Sequence, residues 1–184
     1  MEGIYIKQVL DGDVSKYGHI INLYKDMAYS IAFRILNNNE DAEEAVQDSF
    51  LRAYNALSSF KAESKFSTWL YKIVVNTSIN RSKGRRQVVN DINIDDLSEN
   101  LLAADVEPVL KKLDQQDRIN LINLAMDKLM MEDRLLLTLY YLNENSIAEI
   151  AEITSIPGEN IKMKIHRARK KMFVVLNGVL KNEV

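Results

Sequence analysis

Three stretches in the first half of the chain repeat apolar residues at three- and four-residue spacing. Ile20, Leu23, Tyr24, Met27, Ala28, Ile31 and Ile35 form one stripe. Ala42, Ala45, Val46, Ser49, Phe50, Ala53 and Tyr54 form a second, and Phe66, Trp69, Leu70, Ile73, Val74 and Thr77 a third. Each predicts an amphipathic helix wide enough to face a core. Asn37-Asn38-Asn39 is a polar break between the first two, with Asn39 placed to cap the second helix. Ser58 to Lys65 is the next break. The helical period returns at Ile119, Ile122, Leu124, Ala125 and Leu129, and again at Leu135, Leu136, Leu139 and Tyr140. Between these halves lies Gln87 to Asp117, with eight acids, two bases, Pro108, no aromatic residue and no sustained period. It reads as a linker, with room for a short helix near Val109 to Leu113. No useful β-alternation occurs anywhere. The expected fold is all-α: two small helical domains, 1–86 and 118–184, joined by an acidic linker over 87–117.

The densest local signal is Ser146 to Met172. Ser146 followed by Glu149 is a capping box, in which hydroxyl and carboxylate each accept from a backbone N–H of the first turn. Ile147, Ile150 and Ala151 share the apolar face of that short helix. Pro157 suits the first turn of the next, where its missing N–H costs nothing. From Lys162 to Lys171 there are six Lys/Arg, one His and no acid. A capped support helix, a turn and a cationic helix are the parts of a helix-turn-helix that enters the DNA major groove. Glu159, Lys162, Met163, His166, Arg167 and Lys170 lie off the apolar face. Any solvated helix can carry a basic run, but the cap, the turn and the absence of acids together favour DNA.

Net charge is only −2, so a uniformly basic coat is excluded and a DNA surface must be a local patch. The charge is segregated accordingly. Lys72 to Arg86 carries Lys72, Arg81, Lys83, Arg85 and Arg86 without an acid, whereas Asn39 to Asp48 carries five acids without a base. Lys72, Asn76, Asn80 and Lys83 share one helix face, suited to base edges and phosphates or simply to water. The loop Phe60 to Lys65 before it is polar and has an aromatic entrance, features used to receive unstacked bases. The acids at Glu40, Asp41, Glu43 and Glu44 are already explained by the helix dipole. There are no cysteines, hence no disulfides or zinc finger, and two isolated histidines, hence no metal cluster. No nucleophile motif or phosphate loop is present, no cofactor is implied, and an enzyme is not expected. Neither a bilayer-spanning run nor a signal peptide is visible, which fits a cytoplasmic protein.

Taken in order, these segments resemble an RNA polymerase sigma factor of the extracytoplasmic function (ECF) type. DAEEAVQDSFLRAYNALSSF, from Asp41 to Phe60, resembles the family's region 2.2. FKAESKFSTWLYKIVVNTSINRSKGRR, from Phe60 to Arg86, resembles regions 2.3 and 2.4, including the Phe66 to Tyr71 signature. IAEIAEITSIPGENIKMKIHRARKKM resembles region 4, with its Glu149 to Ala151 and Arg167 to Arg169 patterns. The resemblance covers about Gly18 to Arg86 and Ile119 to Leu176. It implies a transcription initiation factor that brings core RNA polymerase to promoters and aids strand opening.

The resemblance also implies roles for residues. Asp41, Glu44, Gln47, Asp48, Leu51 and Arg52 would dock on the β′ clamp coiled coil. Phe60, Lys61 and Ser64 of the loop, with Lys72, Asn76, Asn80 and Arg81 on the next helix, would capture the minus-ten element. Lys162, Met163, Lys164, His166 and Arg167 would meet the minus-thirty-five element, with Arg169 and Lys170 nearer phosphate. The second domain would also meet the β flap, the acidic linker would thread near the RNA exit path, and an anti-sigma factor would be a regulatory partner. The chain departs from the family where Asn160-Ile161-Lys162-Met163-Lys164 replaces Thr-Val-Lys-Ser-Arg. Met163 lacks a hydroxyl's hydrogen bonds and Lys164 lacks the fork of Arg. Thr154-Ser155 stands where the inter-helix turn usually has Gly. The length leaves no room for regions 1.1 and 3. A stand-alone regulator built on the helix-turn-helix need not bind core polymerase, and a helical enzyme would need a metal or carboxylate site that the sequence does not name.

Overall fold

The apolar stripes fold as helices, and the chain turns at the polar breaks between them. The computed structural model describes residues 2–83 and 114–182, with side chains described to Val179. Its helices are α1 (Glu2–Leu10), α2 (Tyr17–Leu36), α3 (Asn39–Asn55), α4 (Phe66–Ser82), α5 (Gln115–Asp127), α6 (Met131–Leu137), α7 (Ile147–Thr154) and α8 (Gly158–Asn182). No strand occurs among the described residues, and none of their helices is long and apolar enough to cross a membrane. Arg85, Arg86 and the linker up to residue 113, with the short helix expected near Val109 to Leu113, lie outside the described residues.

Local chemistry sets the boundaries. Asn37 ends α2 in the left-handed region at φ 51°, its N–H donating to the Phe33 carbonyl. That turn leaves Asn38 extended, and its side chain accepts the Asp41 N–H at 2.9 Å. The cap is therefore Asn38, one residue before the Asn39 expected from sequence. Asp114 caps α5 in the same way, so Gln115, Gln116 and Asp117 are helical rather than linker. Sequence periodicity misses α1, whose Ile6 and Val9 are buried, whose Tyr5 stacks on His19, and whose Glu2 accepts from the Tyr24 hydroxyl.

Helices α2, α3 and α4 pack on one another through Ile20, Ala28, Ile31 and Ile35, through Ala42, Ala45, Phe50 and Ala53, and through Leu70 and Val74. Leu23, at the outer edge of its stripe, stays 57% exposed. Helix α4 buries more than its stripe: Thr68, Tyr71, Val75 and Ser78 are also covered. The reason is that α4 is packed by α2 and α3 and also by α7.

The apolar core therefore does not stop at the linker. Leu135, Leu136, Leu139, Ile150, Ile153, Ile161 and Ile165 belong to the same cluster as Ile20 through Val75. Polar contacts seal the junction. Arg134, 1% exposed, donates from Nε to the Arg34 carbonyl at 3.0 Å, and the Arg34 guanidinium donates to Asn123 at 2.7 Å. Burial lowers the pKa of both arginines, and nearby Asp127 opposes the shift.

Two faces in the second half differ from the expected ones. Helix α5 packs chiefly against α8, through Leu121 and Ala125, with Met126 and Leu129 also buried, while Ile119, Ile122 and Leu124 are exposed. Tyr140 is exposed because Thr138–Leu142 forms a π-helical turn, which inserts a residue into the period and rotates the side chains beyond it.

Candidate interfaces for promoter DNA and core polymerase

The capping box forms as expected: the Glu149 N–H donates to Ser146 Oγ at 3.3 Å, and the Ser146 N–H donates to the Glu149 carboxylate at 2.7 Å. Ser155 ends α7 at φ 59°, taking without a glycine the left-handed turn that glycine adopts most easily. Pro157 stands just before α8, where its carbonyl accepts the Asn160 N–H at 2.9 Å. Ile161, Ile165 and Ala168 then bury one side of α8. This leaves Lys162, Met163, His166, Arg167 and Arg169 exposed and Lys170 half-buried. Lys164 is turned away from that face and pairs with Glu132 of α6 at 2.8 Å, and Lys171 pairs with Asp133 at 2.9 Å. Part of the basic run thus holds α8 against α6. The π turn brings out Tyr140, which the sequence pattern puts in the core, and Tyr141 beside it. Tyr140 and Tyr141 stack edge to face beside Lys162, His166 and Arg169, around a cleft of about 240 Å³.

The second basic island sits at the other end of the molecule's first half. Phe60 is half-buried against Phe66 and Trp69, with ring centroids 5.3 and 5.4 Å away. Ser59, Phe60, Lys61, Glu63, Ser64 and Trp69 line a cleft of about 330 Å³, whose far wall is Glu152 of α7. Ser64 Oγ donates to Glu152 at 2.8 Å, and Lys65 pairs with Glu149 at 2.7 Å. Helix α7 therefore touches the loop at Ser64 and Lys65, while Lys61, Ala62 and Glu63 stay exposed. Asn76, Asn80 and Lys83 are exposed on α4, with Lys72 half-buried and the Lys83 ammonium donating to Asn80 at 2.9 Å.

Lys65, then the Ser146 N–H, hold the Glu149 carboxyl below its ordinary value of 4.5. A carboxylate with a depressed folded pKa contributes stability above its unfolded pKa and loses it as pH falls through the folded one. Acidification below about 4.5 should therefore loosen α7 from the loop. The emission of Trp69, at the edge of that cleft, should change with a midpoint below the ordinary carboxylate value. Lys65→Met should move the midpoint upward; an unmoved midpoint would remove the Lys65–Glu149 pair as its cause.

The outer face of α3 presents Glu44, Gln47, Leu51 and Arg52, with Asp41 and Asp48 partly covered. Gln47 and Leu51 border an apolar groove of about 600 Å³ floored by Tyr17, Ile21, Val46 and Phe50. Tyr17 is fixed there by its hydroxyl, which donates to the Phe50 carbonyl at 2.6 Å. Arg81, grouped by sequence with Asn76 and Asn80, turns its guanidinium toward α3. It bonds Glu44 most closely, and lies 3.6 Å from Asp41 and 3.5 Å from Asp48. The Glu44 bond holds Arg81 above its usual pKa.

Comparison with known proteins accounts for both halves. Residues 20–88 match the family described as Sigma-70 region 2, and residues 119–172 match Sigma-70, region 4. The ECF RNA polymerase sigma factor SigW of Bacillus subtilis is 34% identical over 174 residues, covering 91% of this chain and 92% of its own. The ECF RNA polymerase sigma-E factor of Haemophilus influenzae is 30% identical over 175 residues, covering 90% and 89%. Two solved structures share the fold. One is CnrH in complex with the cytosolic domain of CnrY, with TM-score 0.64, 22% identity and coverage of 95% and 96%. The other is the sigma factor RpoE of Bartonella quintana with the anti-sigma factor NepR, with TM-score 0.60, 20% identity and coverage of 88% and 96%. Matched across nearly its whole length, and in both regions in the same order, this chain belongs to the ECF RNA polymerase sigma factors.

Proposed function

We propose that the chain performs promoter-directed initiation through three separate surfaces. The exposed side of α8, with Lys162, Met163, His166 and Arg167 toward the bases and Arg169 and Lys170 toward phosphate, reads the minus-thirty-five element. The Phe60, Lys61 and Ser64 loop, with Lys72, Asn76 and Asn80, takes the minus-ten strand into the Phe60–Trp69 cleft. The acids and Leu51 of α3, beside the apolar groove, dock on the β′ clamp coiled coil, and the second half meets the β flap. The observation that carries this reading is the burial pattern of α8: Ile161, Ile165 and Ala168 hold one side down while cations and His166 fill the other. Its relatives are sigma factors, a non-enzymatic family, and the chain lends polymerase its promoter choice without catalysis. It works in the cytoplasm, where polymerase is. The RpoE neighbour was solved with an anti-sigma factor, and a partner of that kind would regulate this chain. Run-off transcription with purified core polymerase on a promoter library tests the whole reading; no promoter-selective transcript would refute it.

Charge reversal on α3 tests the docking surface separately. Glu44→Lys with Asp48→Lys should weaken core polymerase binding by roughly a hundredfold, through like-charge contact with a basic partner. Both side chains are well exposed, so helicity and unfolding should change little. Unaltered affinity for core polymerase would move the docking surface elsewhere.

A further inference from the structure

Arg81 lies between two surfaces that the proposed function keeps apart. Its backbone is on α4, one residue after Asn80 and two before Lys83, both exposed on the side assigned to minus-ten DNA. Its guanidinium is on the other side, among the α3 carboxylates assigned to polymerase. We infer that Arg81 is a place-holding cation: it occupies the polymerase-docking acids in the free chain, is displaced when polymerase supplies its own basic side chains, and then serves the minus-ten strand.

The geometry is that of a bond made to be exchanged. Arg81 makes one close charge-assisted bond, to Glu44, while its contacts to Asp41 and Asp48, at 3.6 and 3.5 Å, are longer than the roughly 2.7–2.9 Å usual for such bonds. One guanidinium is divided among carboxylates from successive turns of α3 rather than forked onto one of them. Glu44 and Asp48 remain 61% and 45% exposed at the side chain, so a partner reaches them without unfolding anything. Exposed ion pairs contribute little net stability and break readily. Swapping one cation for another also leaves the local charge on α3 unchanged, so displacement does not uncover a repulsive acid cluster. Among the described residues, Glu44 and Asp48 share this one guanidinium, which suits a partner bringing more than one positive group. The released Arg81 side chain, long and flexible, then stands beside Asn80 and Lys83, where a phosphate or a base edge is its natural acceptor. Docking and strand capture are thereby coupled through one residue.

This inference rests on the docking surface being the α3 acids, and the test separates the two. The full chain, its Arg81→Gln variant, its Glu44→Gln variant and the double variant are titrated against core polymerase. Each holoenzyme is then titrated with a single-stranded oligonucleotide carrying the minus-ten sequence. Removing the competitor should tighten Arg81→Gln for core polymerase by up to about fivefold, the scale of one exposed ion pair. The same holoenzyme should bind the strand roughly tenfold more weakly, having lost a cationic contact. In the Glu44→Gln background the tightening should shrink, because the pair is already broken. An Arg81→Gln chain that binds core polymerase equally or more weakly overturns the inference, since Arg81 would then order the acids or do nothing for them. Unaltered strand binding by that holoenzyme overturns it as well. If Glu44→Gln leaves core affinity unchanged, the docking surface itself is wrong, which is a different failure with its own readout. Thermal unfolding of each variant, followed by helicity, confirms that all remain folded.

Discussion

Lys162→Ala combined with Arg167→Ala abolishes the dependence of transcription on the minus-thirty-five element. Both side chains are exposed on α8. The helix is held by Ile161, Ile165 and Ala168 on its opposite side, so the double variant keeps its fold. Each lost base contact is worth about 1–3 kcal/mol. The pair together thus lowers discrimination by about thirtyfold at the low end, if the two act independently. Lys164→Ala is the control. Its ammonium is engaged with Glu132 of α6, so promoter choice should hardly move, although the family resemblance places it among the readers. Run-off transcription on templates with intact and scrambled minus-thirty-five elements checks both variants. Wild-type promoter choice in the double variant would show that α8 does not read DNA.

Leu136→Ala, in the second half of the chain, destabilises the first half. Leu136 is fully buried, in one cluster with Ile35 of α2 and Leu70 and Val74 of α4. Truncating a buried leucine costs about 2–5 kcal/mol, the transfer term plus the cavity left behind. Trp69 is the only tryptophan and sits on α4, so its fluorescence reports the first half together with the α7 residue, Glu152, that shares its cleft. If the core is shared, the Trp69 urea transition falls to lower denaturant and coincides with the loss of helicity. Two domains that fold independently would leave the Trp69 transition where it was.

Much of the fold is legible along the chain. The stripe of α3 names all the buried residues of that helix, because a helix that meets its neighbours through one face needs only one face apolar, whereas that of α2 names Ile20, Ala28, Ile31 and Ile35 but not Tyr17, Ala32 or Leu36. The Ser146–Glu149 cap is legible because both of its bonds join residues three apart. Legibility fails where a helix is packed from more than one side or leaves the regular period. Helix α4 carries Thr68, Tyr71, Val75 and Ser78 into contact as well as its apolar stripe, and polar residues in a covered face look like surface in a sequence. Periodicity misplaces Tyr140 because no residue pattern announces the π turn. Among the site residues, Met163, His166 and Arg167 stand on the side where spacing puts them. Lys164 and Arg81, which the resemblance adds to those sets, turn elsewhere, because a cation takes the nearest carboxylate, and those carboxylates come from α6 and α3.

That the described elements are helices, where most of them break, and which segments carry positive charge are written in the chain itself. These follow from bonds and contacts within four residues, which every local stretch contains in full. Long-range packing, and nothing shorter, makes the two halves share one core, sets α7 against Ser64 and Lys65 of the loop before α4, and faces Arg81 toward acids rather than the Asn76–Asn80 side. Such outcomes join Ser64 to Glu152 across 88 residues and Arg34 to Arg134 across 100. At such separations the partner is set by packing geometry and charge proximity, and spacing along the chain carries no record of it.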